Sequence, residues 1–250
     1  MNTQEEIVMK LKNSFCSFTK FATMTHAAKK SAALAFLLFI GISLSAAEIT
    51  LSPGVGATVH TVRSFFEVEN IGESDEFSQK AVTYIIPVPS TGIDMHFTHE
   101  TSGFTFSIIN NIGRTITLFK QGGFGNEKQY TIGSIVDGQI LFGYTYGVKQ
   151  PFSIHCGIGP GVAAGSFRPW KNKTIGTTFY YAVSPVALHI GLQYLFTQHI
   201  GITASIHDML SFSGIFITHK SSNPSEKDKI TGTFGLGNTF TLRLAVSFRF

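Results

Sequence analysis

Apolar and polar residues alternate along much of this 250-residue chain, and the pattern is clearest in its last ten residues, TLRLAVSFRF. Leu242, Leu244 and Val246 there alternate with Arg243 and Ser247. Strict alternation predicts a β-strand that has one face in an apolar medium and the other face in a polar one. A protein core and a lipid bilayer would both satisfy such a strand, so the rest of the chain must distinguish them.

The same period of two recurs in seven further segments, so the sequence predicts eight strands and very little helix. Tight turns are predicted between strands at residues 99–103, 148–152 and 196–200. Long polar stretches alternate with these turns, at residues 60–90, 111–137, 164–182 and 208–233. Short turns at one end and long loops at the other are typical of outer-membrane barrels.

Charge placement favours a bilayer over a soluble core. Of the 27 charged residues after residue 47, 21 fall in the four polar stretches. Within the predicted strands only Asp94, Arg243 and Arg249 are charged, and all three occupy the polar phase. Strands in lipid require this placement, because a charge at the bilayer centre costs about 2–4 kcal/mol. With 14 basic and 13 acidic residues, the segment also lacks the positive charge that nucleic-acid binding requires.

The start of the chain predicts export. Residues 29–47 read KKSAALAFLLFIGISLSAA, which is two lysines, an apolar run and then small residues suited to cleavage before Glu48. The apolar run is shorter than the roughly 20 residues that a membrane-spanning helix needs. We therefore predict a signal peptide at residues 1–47, with Met24 as an alternative start, and one barrel domain at residues 48–250.

An exported chain of eight alternating strands that ends on an aromatic residue resembles small bacterial outer-membrane proteins of the OmpX, OmpA-barrel and OmpW type. It is also similar to small outer-membrane proteins of spirochaetes, many of which have no assigned function. The resemblance implies an all-β fold, an eight-stranded antiparallel up-and-down transmembrane barrel in the bacterial outer membrane. It implies outer-membrane lipids and the barrel-assembly machinery as partners. In such proteins the machinery reads the last strand as a signal, here carried by Leu244, Val246, Phe248 and Phe250.

A cluster of ionisable residues is predicted to face the barrel lumen. Its members are Asp94, His96, His155, His189 and Arg243. A metal site needs two or more imidazoles or carboxylates within about 2–2.2 Å of one ion, and the strand phase alone shows no such convergence. Eight-stranded barrels are just wide enough to be filled by side chains. We therefore predict a hydrogen-bonded polar plug, with no metal site and no cofactor.

Two serine–histidine pairs raise the possibility of a lipid-modifying enzyme. Ser153 and His155 share one strand face, and so do Ser205 and His207. Residues two apart on a strand lie about 6.5–7 Å apart at Cα, and Asp208 is the one carboxylate close in sequence. Chance pairing explains this pattern, so no catalytic residue is predicted.

The polar stretches are the predicted recognition surfaces, because exposed loops on a rigid scaffold commonly carry binding. We predict that residues 60–90, 164–182 and 208–233 contact a host or extracellular ligand, with a purely hydrophilic coat as the alternative. The leading function is a structural or surface-interaction role, adhesin-like or porin-like, without catalysis and without nucleic acid. Passage or binding of a small or apolar solute through the glycine-lined interior is the alternative function.

Overall fold

The structure, a computed structural model, describes residues 47–69, 76–78, 82–122, 125–169, 175–219 and 229–250. Its strands are β1 (Ala47–Glu69), β2 (Glu76–Ser78), β3 (Val82–His99), β4 (Phe104–Gly122), β5 (Gly125–Tyr146), β6 (Phe152–Pro169), β7 (Ile175–Leu195), β8 (Ile200–His219) and β9 (Lys229–Arg249). The predicted signal peptide falls outside these ranges except for its last residue, and it stays a prediction. Within the described ranges, no helix has the length and apolar character needed to cross a membrane.

Eight of the strands close into an antiparallel barrel in chain order. Each of β3 to β8 pairs with the next strand along the chain, β1 pairs with β3, and β9 returns to pair with β1. The closing ladder runs from Thr50 opposite Arg249 to Val68 opposite Gly232. The short strand β2 extends the sheet beside the end of β1. The predicted eight-stranded up-and-down barrel is therefore confirmed.

Tight turns lie at one end of the barrel, where the sequence predicted them. They join β3 to β4, β5 to β6 and β7 to β8. Gly103 and Gly147 adopt left-handed φ values of 74° and 79° in two of these turns. Lys149 Nζ lies 2.5 Å from Glu100 Oε2, and this contact lowers the pKa of Glu100 and raises the pKa of Lys149. Short turns mark the periplasmic end of outer-membrane barrels.

The opposite end differs from the prediction, because strands continue through most of the four stretches expected to be loops. The hairpin of β4 and β5 is paired up to Gly122 opposite Gly125, and β8 and β9 are paired up to His219 opposite Lys229. The strands of the barrel are consequently 18 to 23 residues long. The expected loops at residues 60–90, 111–137, 164–182 and 208–233 are wrong in extent.

A change in the polarity of the lumen-facing residues explains why the loops were predicted to be too long. In the periplasmic half of β3, apolar Ile93 faces outward and polar Asp94 faces the lumen. In the other half the lumen-facing residues are apolar, as Tyr84 and Ile86 show. The apolar phase therefore switches from odd to even positions within one strand. A prediction based on outward-facing apolar residues therefore ends the strand where the phase changes.

The lumen-facing apolar residues form a continuous core, most of it in the half of the barrel farther from the tight turns. The core consists of Val62, Val82, Tyr84, Ile86, Val88, Ile109, Leu118, Ile135, Leu141, Ala163, Phe167, Tyr180, Ala182, Ala187, Met209 and Ile215. Burial of this apolar surface stabilises the barrel, as in a soluble β-barrel. The interior is thus more polar in the periplasmic half and more apolar in the outer half.

The outer face of the barrel carries exposed apolar side chains, as contact with lipid requires. Leu244 is 59% exposed and Ile190 is 53% exposed, whereas the residues between such positions are buried. The sequence pattern placed no charge on this face, and that prediction is wrong for the outer half. Arg63, Arg114 and Arg168 lie at outward strand positions there, and Asp208 lies at an outward position near the middle of β8. All four fall in stretches that were predicted to be loops.

Candidate functional site in the barrel lumen

Polar side chains fill the periplasmic half of the lumen, and histidine is unusually frequent among them. Five of the eight histidines that the structure describes are buried inside the barrel: His60, His96, His155, His189 and His207. Each neutral imidazole carries one donor and one acceptor nitrogen. Burial therefore costs free energy unless both nitrogens find partners.

An ion pair crosses the lumen between β9 and β3. Arg243 donates a hydrogen bond from Nη1 to Oδ1 of Asp94, and both side chains are inaccessible to solvent. Arg243 Nη2 also donates to the carbonyl oxygen of Asn110 at 2.9 Å. Gly92 of β3 makes room for this arrangement, because a Cβ at that position would overlap the guanidinium group. The glycine is thus part of the packing of the ion pair.

Four imidazoles form a contiguous row through the lumen. Ring centroids lie 4.6 Å apart for His155 and His96, 5.2 Å for His96 and His189, and 4.7 Å for His189 and His207. His96 belongs to β3 and His189 to β7, which are four strands apart in a ring of eight. These two side chains therefore meet across the full width of the barrel.

Asp94 meets one end of this row. Nδ1 of His189 lies 3.1 Å from Nδ1 of His207, and Nε2 of His207 lies 3.6 Å from Oδ2 of Asp94. Ser205 Oγ lies 3.0 Å from Nε2 of His207 and donates to Oδ2 of Asp94 at 3.3 Å. One donor atom from each of Asp94, His189 and His207 falls within 4.8 Å of the other two.

The serine, histidine and aspartate in this group do not have the geometry of a catalytic triad. In a triad the carboxylate binds the imidazole nitrogen opposite the one that faces the serine. Here Ser205 and Asp94 both approach Nε2 of His207, and Nδ1 faces His189. Asp208, the carboxylate close in sequence, points outward and accepts a hydrogen bond from Asn238 at 2.6 Å.

The second serine–histidine pair lies near the periplasmic end of the same lumen. Ser153 Oγ donates to Oε1 of Gln193 at 3.0 Å, and Nε2 of His155 lies 3.3 Å from the same oxygen. Nδ1 of His155 lies 2.8 Å from Thr145 Oγ1. Ser153 and His155 are both at most 3% exposed. Ser153 and His155 are therefore engaged in hydrogen bonds that pack the lumen.

All five residues of the predicted lumen cluster are buried in the barrel interior. Asp94 contacts Arg243, and His96 contacts both His155 and His189. Ionisable lumen residues missing from that predicted set include His207 and Asp137. His207 follows the phase of its strand and could have been assigned to the lumen from the alternation in β8. Asp137, which accepts a hydrogen bond from Asn111 at 2.6 Å, fell in a stretch that was read as loop.

The residues of the predicted assembly signal lie on the outer face of β9 and just beyond its end. Leu244, Val246, Phe248 and Phe250 are 59%, 46%, 37% and 70% exposed. The backbone of Phe250 closes the barrel, because its N–H donates to the carbonyl oxygen of Ile49 at 2.9 Å and its carbonyl accepts from the N–H of Ile49 at 3.2 Å. Recognition of these residues by the assembly machinery stays a prediction.

Comparison with known proteins places this barrel in a family. The family described as "Domain of unknown function (DUF2715)" has a model that matches residues 45–250. The chain belongs to the DUF2715 family. The match spans every described strand of the barrel. No curated protein is significantly similar in sequence to this DUF2715 chain.

Solved structures similar to this DUF2715 barrel are outer-membrane proteins. OprG from Pseudomonas aeruginosa is 13% identical, with a TM-score of 0.57, over 82% of this chain and 96% of OprG. Ail, the attachment invasion locus protein of Yersinia pestis, is 13% identical with a TM-score of 0.39 over 82% of this chain and 99% of Ail. A major outer membrane protein from Thermus thermophilus is 10% identical with a TM-score of 0.43 over 78% of this chain and 99% of that protein.

The similarity to OprG shows a shared fold. Together with the exposed apolar face, this fold makes the chain an integral β-barrel protein of the bacterial outer membrane.

Proposed function

We propose that this protein acts in surface interaction, using the outer half of its barrel as a rigid platform that projects from the membrane. Strand length is the observation that carries the proposal. A transmembrane β-strand needs about 9–11 residues, whereas the eight barrel strands have 18 to 23. At about 3.3 Å per residue and a tilt near 40°, the surplus extends roughly 20 Å beyond the bilayer.

The interior favours a closed platform over a channel. His96 and His189 meet across the lumen, and Arg243 reaches Asp94 from two strands away. The apolar core fills the lumen in the outer half of the barrel. Lumen-facing glycines do not leave a clear path, since a Cβ at Gly161 would lie 2.7 Å from Met209 Sδ. Passage of a solute, the alternative function, therefore has less support than surface interaction.

The outer face of the projecting half has the chemistry of a contact surface. Lys128 Nζ lies 5.5 Å from the ring centre of Phe119 and 5.1 Å from that of Tyr130. Arg168 Nε donates to Thr177 Oγ1 at 3.1 Å on the neighbouring strand. Aromatic residues and arginine are enriched at protein interfaces. The proposal assigns this surface to an extracellular partner, without catalysis.

The proposal is tested by adhesion of bacteria that display the chain to immobilised fibronectin, laminin and heparin. A matched variant shortens the projecting β4–β5 hairpin by replacing residues 116–132 with Asn-Gly. Thr115 pairs with Gly133, so a two-residue turn fits this junction. We expect the full chain to increase adhesion to at least one surface, and the shortened variant to reduce it while keeping heat-modifiable mobility on gels.

Conductance in planar bilayers separates the alternative function. We expect the purified chain to give no stepwise conductance above the bilayer background. Equal adhesion by cells with and without the chain, together with defined conductance steps, would overturn the surface role in favour of solute passage.

A further inference from the structure

The row of buried imidazoles has a composition and geometry that a packed polar plug does not require. Four histidines and one aspartate from β3, β6, β7 and β8 contact one another in succession inside the lumen. Residues that only fill space would be small hydroxyl or amide side chains, as at Thr58, which contacts Ser90 at 3.0 Å and Thr241 at 2.9 Å.

The distances within the row are close to those of a metal-binding site. His189 and His207 are direct cross-strand partners, and their Nδ1 atoms lie 3.1 Å apart. Two nitrogens that bind one tetrahedral Zn²⁺ at about 2.0–2.1 Å are roughly 3.4 Å apart. One donor atom each from Asp94, His189 and His207 already lies within 4.8 Å of the others. His207 faces His189 through Nδ1 and Asp94 through Nε2, so one ion would take only one of these two nitrogens, and the side chains must rotate to converge on it.

Unpartnered nitrogens at the same place provide a second observation. Nε2 of His189 and Nε2 of His96 are buried and have no hydrogen-bond partner among the residues that the structure describes. An unpartnered buried polar atom costs about 1–3 kcal/mol. In His189 this nitrogen is not the one that faces His207, so one of its two ring nitrogens would bind the ion and the other would pair with a water.

The charges around the row allow a cation. Asp94 and Asp137 face Arg243 in this part of the lumen, which leaves one negative charge in excess when the imidazoles are neutral. Arg243 occupies Oδ1 of Asp94, so an ion would bind Oδ2, which accepts a hydrogen bond from Ser205 at 3.3 Å. Near the periplasmic end Arg249 Nε lies 2.9 Å from Glu48 Oε1, and these two charges balance.

We propose that Asp94, His189 and His207 form a binding site for a divalent transition-metal ion, with His96 as the adjacent third imidazole. Imidazole-rich sites with one carboxylate suit Zn²⁺, Ni²⁺, Cu²⁺ or Fe²⁺ and do not suit Mg²⁺ or Ca²⁺. Cys156 contributes no thiolate, because it is exposed on the outside of the barrel. A bound ion would cross-link β3 to β7 and β8 through the lumen.

The test uses the full-length barrel without a polyhistidine tag, stripped of metal and folded in detergent. Zn²⁺ binding is measured by competition with a chromophoric chelator. We expect one Zn²⁺ per chain, and a loss of affinity of about tenfold or more in His189→Gln and in His207→Gln. His60→Gln is the matched control, because His60 is a buried lumen histidine whose Nδ1 lies 2.9 Å from Thr239 Oγ1, outside the row. Binding by this variant should be unchanged.

A second measurement does not depend on the folding of variants. Co²⁺ added to the wild-type chain should produce visible absorption bands of a nitrogen- and oxygen-ligated ion, and Zn²⁺ should displace them. Absence of these bands, or absence of bound Zn²⁺ after gel filtration, would show that the lumen holds no metal. Equal weakening by His60→Gln and His189→Gln would show that binding does not occur at the proposed ligands.

Discussion

Arg243 and Asp94 form a buried ion pair that links two strands separated by β1, and neither side chain is accessible to solvent. Removing one partner leaves the other charge buried without compensation, which typically costs about 3–5 kcal/mol. We therefore expect Arg243→Met to lower the free energy of unfolding by about this amount. Urea unfolding of the chain in lipid vesicles measures the change.

Arg168→Met is the control for the ion pair, since Arg168 lies on the exposed outer face and donates to Thr177. Its effect should stay within about 0.5 kcal/mol. The double variant Asp94→Asn with Arg243→Met should be less destabilised than the sum of the single variants, because the two residues interact directly. Strict additivity would contradict a direct energetic link.

Gly92 offers an independent test of the same contact. A Cβ there would overlap the carbonyl oxygen of Asn110 and the guanidinium of Arg243. We expect Gly92→Ala to destabilise the barrel by about 1–3 kcal/mol through overpacking. At Gly138 the nearest atoms to a Cβ lie 3.5 and 3.8 Å away, which is ordinary contact. Gly138→Ala should therefore be tolerated, and equal losses in the two variants would contradict the packing argument.

The strands in the periplasmic half of the barrel could be predicted from the sequence. Their apolar residues face lipid and their polar residues face the lumen, so the alternation keeps one phase along each strand. Ile93 with Asp94, and Leu244 with Arg243, obey that phase in the structure. The outer half could not, since its lumen is apolar and its outer face carries charges such as Arg114. Register shifts, such as the one between Thr115 and Thr117, also interrupt the alternation of inward and outward residues.

The lumen site was predictable only in part for a related reason. Phase assigns a residue to the interior, but the height of that residue in the barrel depends on how the strands are staggered. Asp94 and His207 lie 113 positions apart in the chain and come together because β3 and β8 bring them to one level. Alternation therefore predicts which residues face the lumen, whereas convergence on a metal-binding geometry required the closed ring.

The assembly signal predicted at Phe250 is tested better by substitution than by deletion. Deleting Phe250 would also remove its two backbone hydrogen bonds to Ile49, whereas Phe250→Ser keeps them. We expect Phe250→Ser to reduce the heat-modifiable form in outer membranes severalfold, because the machinery loses its terminal aromatic residue. Phe196→Ser is the control, as Phe196 is 62% exposed at the same end of the barrel and is far from the last strand in sequence. Similar losses in both variants would indicate a general need for aromatic residues at the interface.

Depth in the membrane can be measured with two leucines on the outer face of β9. Leu244 is 59% exposed and Leu236 is 43% exposed, and eight residues separate them along the strand. At about 3.3 Å per residue and a tilt near 40°, this separation is roughly 20 Å along the barrel axis. Leu244 then lies near the bilayer centre, and Leu236 lies at or beyond its outer boundary.

An arginine at these two positions should therefore have unequal effects. Leu244→Arg should cost about 2–4 kcal/mol of unfolding free energy, whereas Leu236→Arg should cost about 0–1 kcal/mol, because the penalty for a lipid-facing charge falls towards the interface. Urea unfolding in vesicles provides the two values. A cysteine scan from residue 240 to 250, with Cys156 first replaced, provides the direction of each side chain, and a lipid-soluble probe should label even positions. If Leu236→Arg costs as much as Leu244→Arg, the outer half of the barrel lies within the bilayer and cannot form the projecting platform.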